Sequence, residues 1–273
     1  VGQYVLYTSS EDEGSTYKSY IEDIVLYLES AGARTLPSFK FLRAHHNKVM
    51  MELLRYQLFP ESACQIDTSV FGTLEELIST GAKRRGSWPK VIKSAYGAGS
   101  RLVDKARNET ELLKLAKEYS ASPRQVFGTI KENAKTMLRP YYQKRSMHRN
   151  KYIVQEMIPG LEGDIKVLCF GLRFYCLYRE NRKNDFRASG SGLFTWDISN
   201  IVNEQSLLDY ADYVYKILNT PFVSLDIAFD GKVFYLIEFQ ALHFGTLTAE
   251  RSKYFYAKSE NGWEKIQETC VIE

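Results

Sequence analysis

Two apolar runs separated by an Asp-Gly dipeptide constrain this chain more than any other feature. Phe222–Phe229 and Val233–Phe239 have strand composition, and Asp230-Gly231 supplies the turn residues between them, so the segment reads as a β-hairpin. Its strands carry Asp226, Glu238 and Gln240 among apolar neighbours. A carboxylate is costly to bury unless it is paired or bound to a cation. Side chains alternate along a strand, so Glu238 and Gln240 share a face. Asp226 joins them only if the pairing has even parity, as with Phe229 opposite Val233, or if a bulge intervenes. Three oxygen donors that leave open positions suit Mg²⁺ held together with substrate phosphates. The other reading of the same three residues is a solvated outer face.

The remaining elements follow from periodicity and punctuation. Val1–Tyr7 reads as a strand and Tyr17–Ser30 as a helix with Ile21, Ile24, Val25 and Leu28 on its apolar side, ended by Gly32. An acidic loop, Ser9 to Gly14, lies between them. Asn47–Leu58 is expected to be a helix capped by Asn47, and Phe71–Ser79 a short helix capped around Thr73. Trp88–Lys93 reads as a strand that runs into Tyr96-Gly97-Ala98-Gly99-Ser100. Glycines there let the backbone approach a polyphosphate, and Lys93 offers a compensating charge. No Gly-Lys-Ser/Thr follows, so this is not a Walker loop; a plain turn after a strand is the alternative. A helix over Glu109–Tyr119, capped by Asn108 or Thr110, a strand over Lys151–Met157, a strand or hairpin over Asp164–Tyr178 and a helix over Leu207–Leu218 complete the pattern. Strands with antiparallel hairpins beside helices argue for the α+β class.

Composition mostly excludes. With 273 residues, 44% hydrophobic and 25% charged, the chain has the profile of a globular protein of one large or two intimate domains. The formal charge of +3 gives no global field for nucleic acid. The basic stretch Lys131–Lys151, with Lys135, Arg139, Lys144, Arg145 and Arg149, therefore reads as a solvated helix and loop. No apolar run is long enough to span a bilayer, and the first residues lack the features of a signal peptide. Cys64, Cys169, Cys176 and Cys270 form no CxxC pair, which points to free thiols in a reducing cytoplasm. The absence of an initiator Met suggests a processed chain or a piece of a longer product.

Val154-Gln155-Glu156-Met157-Ile158-Pro159-Gly160, then Glu162-Gly163-Asp164-Ile165-Lys166-Val167-Leu168-Cys169-Phe170-Gly171, then Arg179 with Asp185-Phe186-Arg187, and finally Asp226 with Glu238-x-Gln240 stand in a recognisable order. Together they resemble the ATP-grasp superfamily, and within it the carboxylate–amine ligases that add glutamate to ribosomal protein S6. The first segment is similar to the adenine hinge, the second to a "G-x-D-I-R" strand, the third to an "R…D-F-R" pair and the last to a "D…E-x-N" magnesium signature. His46-Asn47-Lys48 resembles the "D-K" that opens the grasp region. The match runs from about Lys48 to Phe244.

This resemblance implies an ATP-grasp fold: an abbreviated N-terminal βα segment over 1–46, and subdomains over 47–158 and 159–273 that grip ATP. It implies ATP and Mg²⁺ as cofactors and an amide formed through an acyl-phosphate from a small-molecule or peptide carboxylate and an amine. Lys48 and Lys93 would contact the α- and β-phosphates under the Gly97, Ala98, Gly99, Ser100 loop. Gln155, Glu156, Met157 and Ile158 would line the adenine edge, with Asp164 near the ribose. Arg179 and Arg187 would stabilise the transferring phosphoryl group, and Asp226, Glu238 and Gln240 would hold the metal. No nucleic acid, membrane or catalytic histidine is implied, and His243 is the histidine nearest the signature. Gln240 replaces the usual Asn. Ser189 followed by Gly190-Ser191-Gly192-Leu193 departs from the acceptor region of the S6 ligases, so their substrate does not carry over. A phosphotransferase or a non-catalytic nucleotide-binding module on the same fold is the alternative.

Overall fold

The computed structural model describes residues 2–9, 16–60, 66–80, 87–97, 102–121, 125–139, 141–143 and 145–267. It divides into two compact units. One comprises Val1–His45, Leu53–Gln65 and Ile158–Glu273, and the other His46–Glu52 and Ile66–Met157.

The chain begins β1 (Tyr4–Leu6), α1 (Thr16–Ser30), β2 (Arg34–Leu36), α2 (Phe39–Ala44) and α3 (Lys48–Leu58). It continues β3 (Thr68–Phe71), α4 (Leu74–Thr80), β4 (Lys90–Ser94), β5 (Val103–Ala106), α5 (Glu109–Ser120), α6 (Gln125–Leu138) and β6 (Tyr152–Glu156). The last stretch holds β7 (Gly163–Phe170), β8 (Arg173–Glu180), β9 (Phe194–Thr195), α7 (Glu204–Leu218), β10 (Phe222–Phe229), β11 (Phe234–Gln240), α8 (Leu247–Glu250), β12 (Tyr254–Ser259) and β13 (Gly262–Gln267). The mixture is α+β, as the sequence pattern implies.

In the second unit β3, β6, β4 and β5 form an antiparallel sheet in that order. Phe71, Ile92, Ala106, Tyr152 and Val154 on one face pack against Leu77 of α4 and Leu112 and Ala116 of α5. Phe71 closes a strand here, where the sequence suggests a helix over Phe71–Ser79. The helix starts three residues later because Thr73 caps it, accepting from the Glu76 amide at 3.1 Å, while Glu76 accepts from Gly72 N–H at 2.7 Å. Of the two caps considered for α5, Asn108 serves, accepting from Glu111 N–H at 2.9 Å. In the basic stretch Lys135 is paired with Glu132 at 3.0 Å, and Tyr142 donates to the same carboxylate at 2.6 Å. Lys144 lies outside the described residues.

The first unit is built on the sheet β11-β10-β7-β8-β12-β13, with β9 paired to β8. Its N-terminal layer is the parallel pair β1 and β2 with α1 between them. Val25, Leu42 and Leu242 form its core, flanked by Tyr7, Ile21 and Phe39. Ile24, expected on the apolar side of α1, is exposed, because a single narrow stripe of that helix is covered. On the main sheet, Val167, Cys169, Cys176, Val223, Leu225 and Ile227 are buried. Register and alternation place them on one face, and α7 covers it; Phe174 meets Tyr215 of that helix edge-on at 5.9 Å. Asn203 caps α7 through Ser206 N–H, and Asn219 ends it in the left-handed region at φ 48°.

Candidate functional site

In the second unit, alternation along β4 and β6 sends Lys93 and Gln155 to the face opposite the α4 and α5 core. Lys93 Nζ donates to Gln155 Oε1 at 2.7 Å, and Gln155 Nε2 donates to Thr68 Oγ1 at 2.9 Å. Lys48, at the start of α3, donates from Nζ to the Gly97 carbonyl at 3.0 Å, and its amide donates to the Ala95 carbonyl at 2.9 Å. The two lysines and the start of the glycine loop are thus tied to one sheet. Ala98, Gly99 and Ser100 lie outside the described residues. Glu156 ends β6, and its carboxylate is held by Lys90 at 2.7 Å and Ser87 at 3.0 Å. Burial pushes that carboxyl up, and the two donors outweigh it and hold it below its ordinary value. Met157 follows directly at the end of the unit, and buried Ile158 opens the next segment of the other.

In the first unit the decisive feature is a register shift. Phe229 pairs with Phe234, which has the wrong parity to bring Asp226 and Glu238 together, but a bulge between Asp226 and Ile227 makes Ile237 the extra residue. Beyond it Asp226 stands opposite Glu238, and Ser224 opposite Gln240. The same register puts Asp226 opposite Lys166 of β7, and Asp164 opposite Arg179 of β8. Asp164, Lys166, Arg179, Asp226, Glu238 and Gln240 therefore share the face away from α7. That face continues into an apolar cluster of Leu168, Tyr175, Phe255 and Ala249 of α8.

Arg179 forks onto Asp164 at 2.6 and 2.8 Å and reaches Asp226 Oδ2 at 2.8 Å. Lys166 lies 3.2 Å from Asp226 Oδ1 and donates to Ser224 at 2.8 Å. Asp226 Oδ1 is buried and receives no hydrogen bond of good geometry. Glu238 accepts from the Gln240 amide at 3.0 Å. Arg187 pairs with Asp185 at 2.7 Å in the loop after β8. A cleft of about 280 Å³ lined by Gly160, Glu162, Asp164, Tyr178 and Phe229 opens beside Asp164. His243, after the hairpin, packs its ring edge-on against His45 at 6.3 Å.

Among the described residues no group of three or more His, Cys, Asp and Glu side chains is placed to hold a metal ion. The hairpin offers two carboxylates and an amide instead, and Asp226 Oδ1, faced by Lys166 at 3.2 Å without a hydrogen bond of good geometry, is an oxygen still able to accept a ligand. That donor set fits Mg²⁺ that draws its remaining ligands from phosphates and water.

No protein-family model matches the chain, and no curated protein matches it. Solved structures do. D-alanyl-alanine synthetase A from Vibrio cholerae O1 biovar eltor overlays with a TM-score of 0.52 at 13% identity, over 88% of this chain and 66% of that one. The ATP-grasp ligase PsnB, complexed with minimal precursor, gives 0.50 at 14% identity over 91% and 73%. The biotin carboxylase domain of Hydrogenobacter thermophilus 2-oxoglutarate carboxylase, in complex with MgADP, ADP and bicarbonate, gives 0.50 at 15% identity over 89% and 48%. The fold is the ATP-grasp fold. The chain spans 48% to 73% of the length of these ATP-grasp structures.

Sequence reasoning about the ATP-grasp sheet missed two residues. Lys166 was legible, since it stands two positions after Asp164 on a strand and must share its face. Arg55, described below, carried no signal beyond a charge in an apolar helical stretch.

The charged face has a pH signature. Burial pushes Asp164 up to about 6, Arg179 pulling it down and Asp226 adding to the rise. Burial also pushes Asp226 up, but Arg179 and Lys166 outweigh it and hold that carboxyl at about 2. The two share Arg179 and titrate as a pair, with Asp164 the raised and Asp226 the lowered partner. A folded value above the unfolded one means that the stability from protonated Asp164 is full below about pH 4 and lost as pH rises through 6. Asp226 contributes in the opposite sense, its stability present above about pH 4 and lost as pH falls towards 2. Carboxyl NMR is expected to show a resonance titrating near pH 6 that vanishes in Asp164→Asn. In Asp226→Asn it should move to lower pH, because a like charge is gone. A wild-type spectrum with every Asp carboxyl titrating below pH 4.5 would contradict this.

Proposed function

We propose that this chain is an ATP-dependent carboxylate–amine ligase working through an acyl-phosphate. The observation that carries the reading is the bulge-set register that puts Asp226 opposite Glu238, beside Gln240, Lys166 and Arg179, on the face of an ATP-grasp sheet away from α7. In this reading Lys48, Lys93 and the Gly97-to-Ser100 loop contact the α- and β-phosphates. Gln155 to Ile158 hold the adenine edge, and Asp164 lies near the ribose. The subdomains concerned are 47–158 and 159–273.

The substrate carboxylate attacks the γ-phosphorus of ATP and ADP leaves, giving an acyl-phosphate. A neutral amine then attacks the acyl carbon, phosphate leaves, and the amine proton passes to solvent. Positioning and charge neutralisation supply most of such catalysis. Arg179 and Arg187 stabilise the negative charge on the transferring group. Mg²⁺, when bound, offsets phosphate charge, and Glu238, Gln240 and Asp226 Oδ1 are the donors that hold it. The substrates are a small-molecule or peptide carboxylate and an amine. Among the described residues no helix is long and apolar enough to cross a membrane. The buried free thiols Cys169 and Cys176 support a cytoplasmic setting.

Calorimetry with ATP, with and without Mg²⁺, tests the reading. Loss of an outer-sphere partner already costs a metal site about 10- to 100-fold in affinity. Glu238→Ala is therefore expected to weaken Mg-dependent ATP binding by about 100-fold or more and leave Mg-free binding nearly unchanged. A folded wild-type chain that binds no nucleotide would overturn the proposal.

A further inference from the structure

Arg55 has no place in the chemistry above, yet it is 1% exposed, two turns into α3. Its Nη2 donates to the main-chain carbonyl of Ile237 at 2.8 Å. Ile237 is the bulge residue, the one position of β11 that breaks the ladder parity. An extra residue in a bulge is left out of the regular pairing, so its buried polar groups need donors from elsewhere. Nature has put a guanidinium there although a buried charge is generally less stabilising than an apolar side chain of similar size. The alternative that this contact opposes is specific. Continued without the bulge, the pairing of Phe229 with Phe234 would set Ile237 opposite Asp226 and turn Glu238 and Gln240 to the face covered by α7.

We propose that Arg55 is a positioning residue that pins the Ile237 bulge and so holds Glu238 opposite Asp226. The register claim stands on the geometry alone; its consequence for metal binding rests on the ligase reading. The competing regular register would bury a carboxylate among Val223, Leu225 and Ile227, so loss of Arg55 loosens the bulge before it reverses the strand.

The test uses the full chain and two readouts. One is the cross-strand Hα contact between residues 226 and 238, observed by NMR; the other is the Mg²⁺ concentration that half-saturates ATP binding. In Arg55→Met the contact is expected to weaken, and the half-saturating Mg²⁺ concentration to rise about tenfold or more. Arg55→Lys, which keeps the charge but loses the fork, should fall between the two. Deleting Ile237 in the Arg55→Met background removes the residue that needs the donor and restores even parity, so both readouts should recover. A folded Arg55→Met protein with an intact contact and unchanged Mg²⁺ response overturns the proposal. So does a failure of the deletion to restore structure if Arg55→Met does not fold. A contact that depends on Arg55 in a chain that binds no Mg-ATP upholds the positioning role and removes the ligase reading.

Discussion

Arg179→Met is expected to lower the unfolding free energy by about 3–5 kcal/mol at neutral pH. Arg179 is 7% exposed, and its guanidinium sits between two carboxylates, forked onto Asp164 at 2.6 and 2.8 Å and bonded to Asp226 at 2.8 Å. Its removal leaves both acids with Lys166 as the remaining cation on that face among the described residues. Stranded buried carboxylates are the expensive part, more than the lost attraction itself. The destabilisation should therefore shrink as pH falls and the acids take up protons. It should also shrink when Asp164→Asn and Asp226→Asn are added. Urea unfolding of the single and triple variants decides the matter. A cost below about 1 kcal/mol with an unchanged denaturant slope would mean that the acids find other partners.

Gly163→Ala is expected to cost about 3 kcal/mol, at the upper end for overpacking. A Cβ there would stand 2.3 Å from the Arg179 carbonyl oxygen and 2.6 Å from the Tyr178 ring. Neither yields easily, because the first is backbone within the β7–β8 ladder, where Gly163 pairs with Glu180. Relief by strand separation would move Arg179 off its carboxylates, so the variant should lose Mg-dependent nucleotide binding as well as stability. Gly245→Ala is the control: nothing lies within 4 Å of its Cβ, and the change should stay within about 0.5 kcal/mol. Thermal unfolding of the pair, side by side, gives the comparison; equal losses would count against a close-approach role for Gly163.

How far the sequence could be read depended on what kind of information each feature uses. The hairpin, α5 with its cap and α7 were legible because period and punctuation are local. The requirement for even parity was legible too, since it follows from alternation alone. A bulge was one of the ways to meet it that the sequence offered, but its position was not legible, because Ile237 looks like any apolar strand residue and its donor comes from a distant helix. Phe71 was placed in a helix because its aromatic ring fits either element; pairing with Tyr152 decides for the strand. The short elements β2 and α2 lack enough residues for a periodic signal. The resemblance makes Arg179 a phosphate ligand, and its ion pairs with Asp164 and Asp226 are a long-range arrangement that no spacing encodes.

The division into two units carries a consequence for biosynthesis. The chain passes between them four times, after His45, Glu52, Gln65 and Met157, so no single cut of the backbone yields either one whole. Val25 and Leu42 complete their cluster with Leu242, which is made well after both. The all-antiparallel sheet from β3 to β6 is instead available as soon as Tyr152–Glu156 has been made. A layer begun before that sheet is thus completed after it. During that interval the apolar side of α1 lacks the cover that Leu242 gives it, a period in which a nascent chain is open to aggregation or to a chaperone.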